Sequence, residues 1–307
     1  MRWVLTVGLA GLLLFGIGLP AQASTVHVPC DVTHLRSAIT AANTAPGSVL
    51  SLRRHCTYSI TDVSSSPGDG LPAITASMTI RGNGARLVRS STAQFRILEI
   101  DSGATVSITS LTIRGGHAPD GSMAAGESGG GILNVGTLLL RNVTILRNVS
   151  GNGSSGVGLA FNGGNGGGIE NTGALTVVRS RVIGNSSGAG GGGLAITPGT
   201  GGTGGGIDDA GSLLLVASSI AKNRTGSGGS NSLTTGAGGN GAGLYVGSSG
   251  SAAIRRSVIT RNFAATGGNG GGIFNDASTV ITPRATRVVR NKPNNCAPAN
   301  KVARCMH

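Results

Sequence analysis

The sequence predicts an all-β solenoid, a parallel β-helix with a short N-terminal capping helix. Three observations carry this expectation. First, glycine supplies 56 of the 307 residues, while aromatic residues make up 3% and charged residues 11%, against about 25% charged in an ordinary domain. Each glycine costs a helix about 1 kcal/mol, which excludes a helical bundle, and the glycines lack the three-residue period of collagen. Second, five segments align on two anchors. One is a Gly-rich run ending at Ile132, Ile169, Ile207, Leu244 and Ile273; the other is an Asn at Asn148, Asn185, Asn223, Asn262 and Asn291. The aliphatic anchors stand 37, 38, 37 and 29 positions apart. Third, apolar residues between the anchors alternate with period two, as at Leu138 and Leu140, Leu175 and Val177, and Leu213 and Leu215. Short strands at a fixed long period, without helical crossovers, stack as successive coils about 4.8 Å apart.

In chain order, residues 1–23 read as a secretory signal peptide. Arg2 precedes an apolar run from Val4 to Leu19, and Ala21-Gln22-Ala23 is a small-x-small cleavage site. Residues 24–60 form the N-terminal cap and first coil. Val32, Leu35, Ile39 and Ala42 share one helical face within Asp31 to Asn43, with Asp31 as N-cap. Residues 61–291 form the β-helix with its Gly-rich inserts. Strands are expected at Ser48 to Leu52, Ser77 to Arg81, Ala85 to Val88, Arg96 to Ile100 and Thr105 to Arg114. Stacking turns repeated positions into columns. The anchor Asn residues form one amide ladder; Asn134, Asn171, Asp209 and Asn275 form a second, broken by Val246. The inserts Gly151 to Gly167, Gly188 to Gly205 and Gly226 to Gly241 project side by side, either as binding loops or as flexible segments. Residues 292–307 form a disulfide-closed tail. Cys30, Cys56, Cys296 and Cys305 allow three pairings; Cys30–Cys56 and Cys296–Cys305 are favoured, one at each end.

Removal of residues 1–23 takes away Trp3 and Arg2 and leaves a net charge of +12. No other segment is apolar enough to span a membrane, so a secreted, extracellular or cell-surface monomer is expected. Arg147, Lys222, Arg261 and Arg290 each precede a ladder Asn, with Gly184 at the remaining position, and Arg141, Arg179, Arg255 and Arg256 lie slightly earlier. Stacked, they form a cationic stripe suited to phosphate, sulfate or carboxylate. An anionic polysaccharide or cell-wall polymer is the expected partner. Specific nucleic-acid recognition is not expected, because aromatic residues for base stacking are scarce.

The G-G-G-I…N-x-G-x-L-x-L…S-x-I-x-x-N unit resembles the right-handed parallel β-helix repeat proteins exported by bacteria, with a pectate-lyase-like fold. It is also similar to the Gly-Gly-Ala-Ile repeats of chlamydial polymorphic outer membrane proteins. Val28-Pro29-Cys30-Asp31, Leu35-Arg36-Ser37-Ala38-Ile39, Cys56-Thr57-Tyr58 and Asn291-Lys292-Pro293-Asn294-Asn295-Cys296 look like the ends of the same secreted group. The resemblance spans residues 26–305 and implies a right-handed coil. The Phe-x-x-Asn motif and C-terminal barrel of the chlamydial proteins are not found, so outer-membrane anchoring is not expected.

Many such folds are polysaccharide lyases or glycoside hydrolases, which makes paired carboxylates the catalytic candidates. Glu170 and Asp208 follow Ile169 and Ile207 in one column, Leu133, Glu170, Asp208, Tyr245, Phe274, while Asp209 faces the other way. Of the Asn-x-Asp, Asp-Asp and His-Gly signature of polygalacturonase-type sites, only Asp208-Asp209 is present. No metal site or resident cofactor is expected. Calcium at the carboxylates is a weak alternative, and the G-G-x-G-x-D calcium repeat and the phosphate-binding P-loop are both excluded by spacing. The favoured function is therefore non-catalytic binding or adhesion, with a lyase or hydrolase using Glu170 and Asp208 as the alternative.

Overall fold

The computed structural model describes residues 25–64 and 66–305. The signal-peptide expectation falls outside them. The described chain is all-β, with one helix capping long parallel sheets. That helix, Val32–Asn43, begins where Asp31 accepts a hydrogen bond from His34 N, and it buries Leu35, Ile39 and Ala42. It packs over the first strands, Thr25–Val28 and Ser48–Leu52, which pair in parallel. The apolar end of the core is thereby removed from water.

Each of the first four repeats contributes three short strands, and the fifth contributes two, Ile273–Asn275 and Arg287–Val289. In the first they are Ile132–Asn134, Thr137–Arg141 and Thr144–Leu146. Each pairs in parallel with its equivalent one repeat later: Ile132 with Ile169, Leu138 with Leu175, Ile145 with Val182. The register continues through Ile207, Leu244 and Ile273 to Cys296. Ile132, Leu140, Ile145 and their equivalents form a buried apolar interior. Upstream, Ser48–Leu52 and Thr105–Arg114 have the expected bounds. The segments expected at Ser77 to Arg81 and Ala85 to Val88 are one strand, Met78–Arg89, whose register slips between Arg81 and Ala85. At Gly82 a Cβ would collide with backbone of the adjacent strand, so the slip needs glycine there.

Three polar ladders run along the stack. Each ladder Asn donates Nδ2 to the next Asn Oδ1 at 2.9–3.0 Å from Asn148 through Asn291, and the same Oδ1 accepts the preceding backbone N–H. The second ladder runs Asn134 to Asn171 to Asp209, at 2.6 Å per step. It ends at Val246, and Asn275 turns to the carbonyls of Thr279 and Lys301. The third was not foreseen: Val143, Ser180, Ser218 and Ser257 each donate their backbone N–H to the hydroxyl of the next residue in the series Ser180, Ser218, Ser257 and Thr286.

The inserts are a hydrogen-bonded plate. Every third N–H of one insert reaches the next: Ser150 to Ser186 O, Gly153 to Ala189 O; then Ser187 to Arg224 O, Gly190 to Ser227 O and Gly193 to Ser230 O. This three-residue period is that of a polyproline II-type helix, which has no internal hydrogen bonds. The outgoing and returning legs also bond one another: Gly164 N to Gly151 O, Gly188 N to Gly164 O, Gly202 N to Gly188 O, and farther out Gly191 N to Phe161 O and Gly199 N to Gly191 O. A Cβ at Gly151, Gly188 or Gly226 would fall on a neighbouring carbonyl oxygen. The expectation of flexible segments is thus replaced by one of close-packed backbone. The second insert has one residue more than its neighbours, and the tip absorbs it. Seven positions separate Ser154 from Phe161 and eight separate Gly191 from Gly199, with a register slip between the tip strands Gly158–Leu159 and Ala195–Thr197.

Disulfides join Cys30 to Cys56 and Cys296 to Cys305 with Cα separations of 5.6 and 6.2 Å, one at each end of the stack as favoured. Among the described residues, no helix is long and apolar enough to cross a membrane.

Candidate functional site

The sheet containing Ile169–Asn171 and Ile207–Asp209 brings Glu170 and Asp208 together. They are direct register partners, so their backbones lie about 4.8 Å apart. Leu133 lies on one side of the pair, and Tyr245, stacked on Phe274 with ring centroids 5.6 Å apart, on the other. The pair does not line an open groove. Glu170 is 8% exposed and Asp208 3%, because the insert roots fold back over them. Thr203 Oγ1 donates to Asp208 Oδ2, and a Cβ at Gly204 would collide with Asp208 Cβ, so the insert root comes close to Asp208 only because it is glycine. Glu170 Oε2 is buried without a hydrogen-bond partner.

Burial therefore governs their ionisation. Desolvation pushes Glu170 well above the usual carboxylate range, and the neighbouring charges of Asp208 and then Asp209 add to the effect. Asp208 is raised to about 7, chiefly by burial and against the Thr203 hydrogen bond. Asp209 faces inward on the Asn134–Asn171 ladder and is raised to about 6 by burial. Burial thus favours the neutral form of Glu170. Chemically the arrangement is a proton-holding pair without solvent access. Among the described residues, no group of three or more His, Cys, Asp and Glu side chains could hold a metal.

The cationic residues are arranged differently. Arg147, Lys222, Arg261 and Arg290 are all exposed. Their preceding residues are in parallel register, which stacks them with Gly184 in one column. The structure sets Arg141 and Arg255, expected in the stripe, beside cations that sequence spacing did not collect: Arg181, Arg224, Arg284, Arg287 and Lys292. Arg141, Arg255 and Arg284 share a column with Val178 and Val216. Arg181 and Arg287 share one with Ser219 and Val258. Arg224 and Lys292 flank Phe263, with the Arg224 guanidinium 5.4 Å from its ring centroid. Arg181, Arg284 and Arg287 escaped notice because their columns are interrupted by uncharged residues, Val178 and Val216 in one and Ser219 and Val258 in the other. Beyond residue 129 there are 15 Lys and Arg but four carboxylates, and three of the four, Glu170, Asp208 and Asp209, are buried. No ion pair joins any of these 15 cations to a carboxylate among the described residues.

Seven of these cations occupy costly backbone positions, six in the coils and Arg304 in the tail. Arg147, Lys222, Arg261 and Arg290 have φ between 52° and 59°, and Arg179 and Arg256 have φ of 48° and 50°. Each coil has two left-handed bends, and these cations share them with Gly184 in one column and with Asn142, Ala217 and Ala285 in the other. A left-handed residue with a Cβ costs roughly 1–2 kcal/mol, and glycine avoids that cost, as Gly184 does at φ 67°. A chain with 56 glycines has nonetheless put cations at six such bends.

Another charged cluster had no sequence signal. Arg96, almost fully buried, bonds Asp69 at 2.8 Å, Glu127 at 3.2 Å and the carbonyl oxygens of Ser128 and Gly129. Its donors are consumed within the fold, which makes it a brace between the N-terminal coils and the first insert. No family model, curated protein or solved structure matches this chain.

Proposed function

We propose that this chain is an exported, right-handed parallel β-helix protein of the extracellular space or cell surface that binds an anionic polymer, an acidic polysaccharide or cell-wall polymer, through its basic face without catalysing a reaction. The observation that carries this reading is the placement of cations at left-handed bends, where glycine would be cheaper. Backbone strain retained at a surface marks a position kept for what its side chain does. Coils about 4.8 Å apart give a periodic charge array that suits a periodic polyanion. The two disulfides fit an oxidising compartment.

The test is retention on immobilised polygalacturonate and dextran sulfate over a salt gradient. Wild type should elute at raised salt, because screening weakens exposed charge contacts. Replacing Arg147, Lys222, Arg261 and Arg290 by Gln should move elution to low salt. Unchanged elution of that variant overturns the proposal.

The alternative, a lyase or glycoside hydrolase working through Glu170 and Asp208, draws support from their raised pKa values, as a general acid needs. It also requires the insert roots to lift, since the pair is covered. Release of reducing ends or unsaturated products from acidic polysaccharides, abolished by Asp208→Asn, would favour it over binding alone.

A further inference from the structure

The outer edge of the insert plate carries an uncovered apolar ridge. Met123, Val157, Leu159, Leu194, Ile196 and Leu233 are 71–88% exposed, and every other exposed large hydrophobic among the described residues is at 54% or below. All six lie where an insert turns back. Val157 and Leu159 flank Gly158, Leu194 and Ile196 flank Ala195, and the tip strands Gly158–Leu159 and Ala195–Thr197, which hold Leu159 and Ile196, pair with one another. Seven residues from Ser150 to Val157 at about 3.1 Å each carry a tip about 20 Å outward from the coils.

We infer that this ridge is a membrane-contact edge that inserts its aliphatic side chains into the surface of a lipid bilayer. Three features favour lipid over a protein partner. The inserts at residues 150–167, 188–204 and 226–241, which carry five of the six residues, contain no charged residue, and only the Met123 turn has carboxylates near it, at Asp120 and Glu127, whereas an apolar protein-binding patch ordinarily has a polar, often charged rim. Charge is what hydrocarbon rejects most strongly. The legs behind the ridge bond their backbone groups to one another, as polar groups near hydrocarbon must. Finally, each turn offers only one or two exposed aliphatic side chains, which a fluid surface can cover without a complementary pocket. Basic residues such as Arg224 and Lys292 stand at the plate's roots, so ridge contact and polyanion binding are separable.

The experiment is flotation of the exported chain, residues 24–307, with phosphatidylcholine vesicles, and with vesicles that also contain phosphatidylglycerol, at low and high salt. The expected result is co-flotation with phosphatidylcholine alone that persists at high salt. Replacing Val157, Leu159, Leu194 and Ile196 together by Ser should reduce binding about tenfold or more while the melting temperature holds, since all four are exposed. Leu159→Trp should give blue-shifted emission that brominated lipid quenches. Failure of wild type to float with either vesicle overturns the inference, as does equal flotation of the fourfold variant. Binding only to the anionic vesicles, lost at high salt and unaffected by the fourfold variant, would assign contact to the basic face and overturn it too. A dimer in sedimentation that the fourfold variant abolishes, without vesicle binding, would make the ridge a self-association surface instead.

Discussion

Replacing Gly188 by alanine tests the plate directly. A Cβ at Gly188 lands on the carbonyl oxygen of Gly151, well inside the 3.0 Å that real Cβ atoms respect. The legs must part by more than about 1 Å, which takes a hydrogen bond near 2.8 Å out of bonding range. Three backbone bonds meet at this point: Gly164 N to Gly151 O at 2.8 Å, Gly188 N to Gly164 O at 3.0 Å and Gly202 N to Gly188 O at 2.8 Å. A fourth joins Gly188 N to Ser150 Oγ at 3.0 Å. At about 1 kcal/mol each, less up to about 1 kcal/mol for the stiffer unfolded chain, the loss is about 3 kcal/mol. The plate can open without the coils, so the readout is native-state hydrogen exchange. The amides of Gly164, Gly188 and Gly202 should exchange about 100-fold faster, at about 1.4 kcal/mol per decade, while those of Asn185 and Asn223 in the ladder keep their protection. Gly247→Ala is the control, because its Cβ meets nothing nearer than 3.6 Å. If Gly188→Ala leaves plate exchange unchanged, the plate is not close-packed and the argument fails.

Asn223→Ala should destabilise the fold by about 3–5 kcal/mol in denaturant unfolding, because it strands the Asn185 amide groups and the Val182 carbonyl in a buried ladder. The buried carboxyls predict a pH effect of definite sign. Groups with raised folded-state pKa values bind protons more tightly when folded, so their contribution is fully present below about pH 4 and is lost as pH rises through about 6 and 7 for Asp209 and Asp208. A Glu170→Gln, Asp208→Asn variant should flatten that decline and be more stable than wild type at pH 8 in thermal melts. Arg261→Gly should stabilise the protein by about 0.5–1 kcal/mol, relief of left-handed strain outweighing the entropy cost of glycine, while lowering the salt at which it leaves a polygalacturonate column. Removing Cys30–Cys56 by paired Ser substitutions should cost about 3.5 kcal/mol, and removing Cys296–Cys305 about 2.6 kcal/mol, from loops of 26 and 9 residues.

What could be read from the sequence was whatever left a side-chain signature at a fixed interval. Ile132 and its four equivalents, the ladder from Asn148 to Asn291 and the alternation within Leu138 to Leu140 all do so, and the parallel stack and its columns followed from them. Asp31 and the Leu35, Ile39 and Ala42 face placed the helix by the same logic. The plate was illegible because its period lives in the backbone. Gly151, Gly164, Gly188 and Gly202 are joined by N–H and C=O groups that every residue has, so an ordered lattice and a loose linker look alike as letters. The serine ladder was hidden because its first member, Val143, has no hydroxyl. For the candidate site, the pairing of Glu170 with Asp208 was legible, but its burial was not, since the cover comes from Thr203 and Gly204 in the unread inserts. The basic column was legible at Arg147, Lys222, Arg261 and Arg290, whereas its left-handed backbone and the companion residues Arg181, Arg284 and Arg287 required coordinates.

The threefold repeat of the plate also sets a quantum for change in the gene. One codon added to a leg turns everything beyond it by a third of a revolution and points its N–H groups away from their partners. Three codons in each leg restore the phase, so the plate can widen in steps of six residues while the coils lengthen independently by whole repeats. The single residue that breaks this arithmetic, in the second insert, is tolerated because it sits at the turn, where a slip in the pairing of the tip strands takes it up. The turns are thus the one part of the plate free to be rewritten without cost to the scaffold, and their aliphatic residues are a choice that folding alone does not impose.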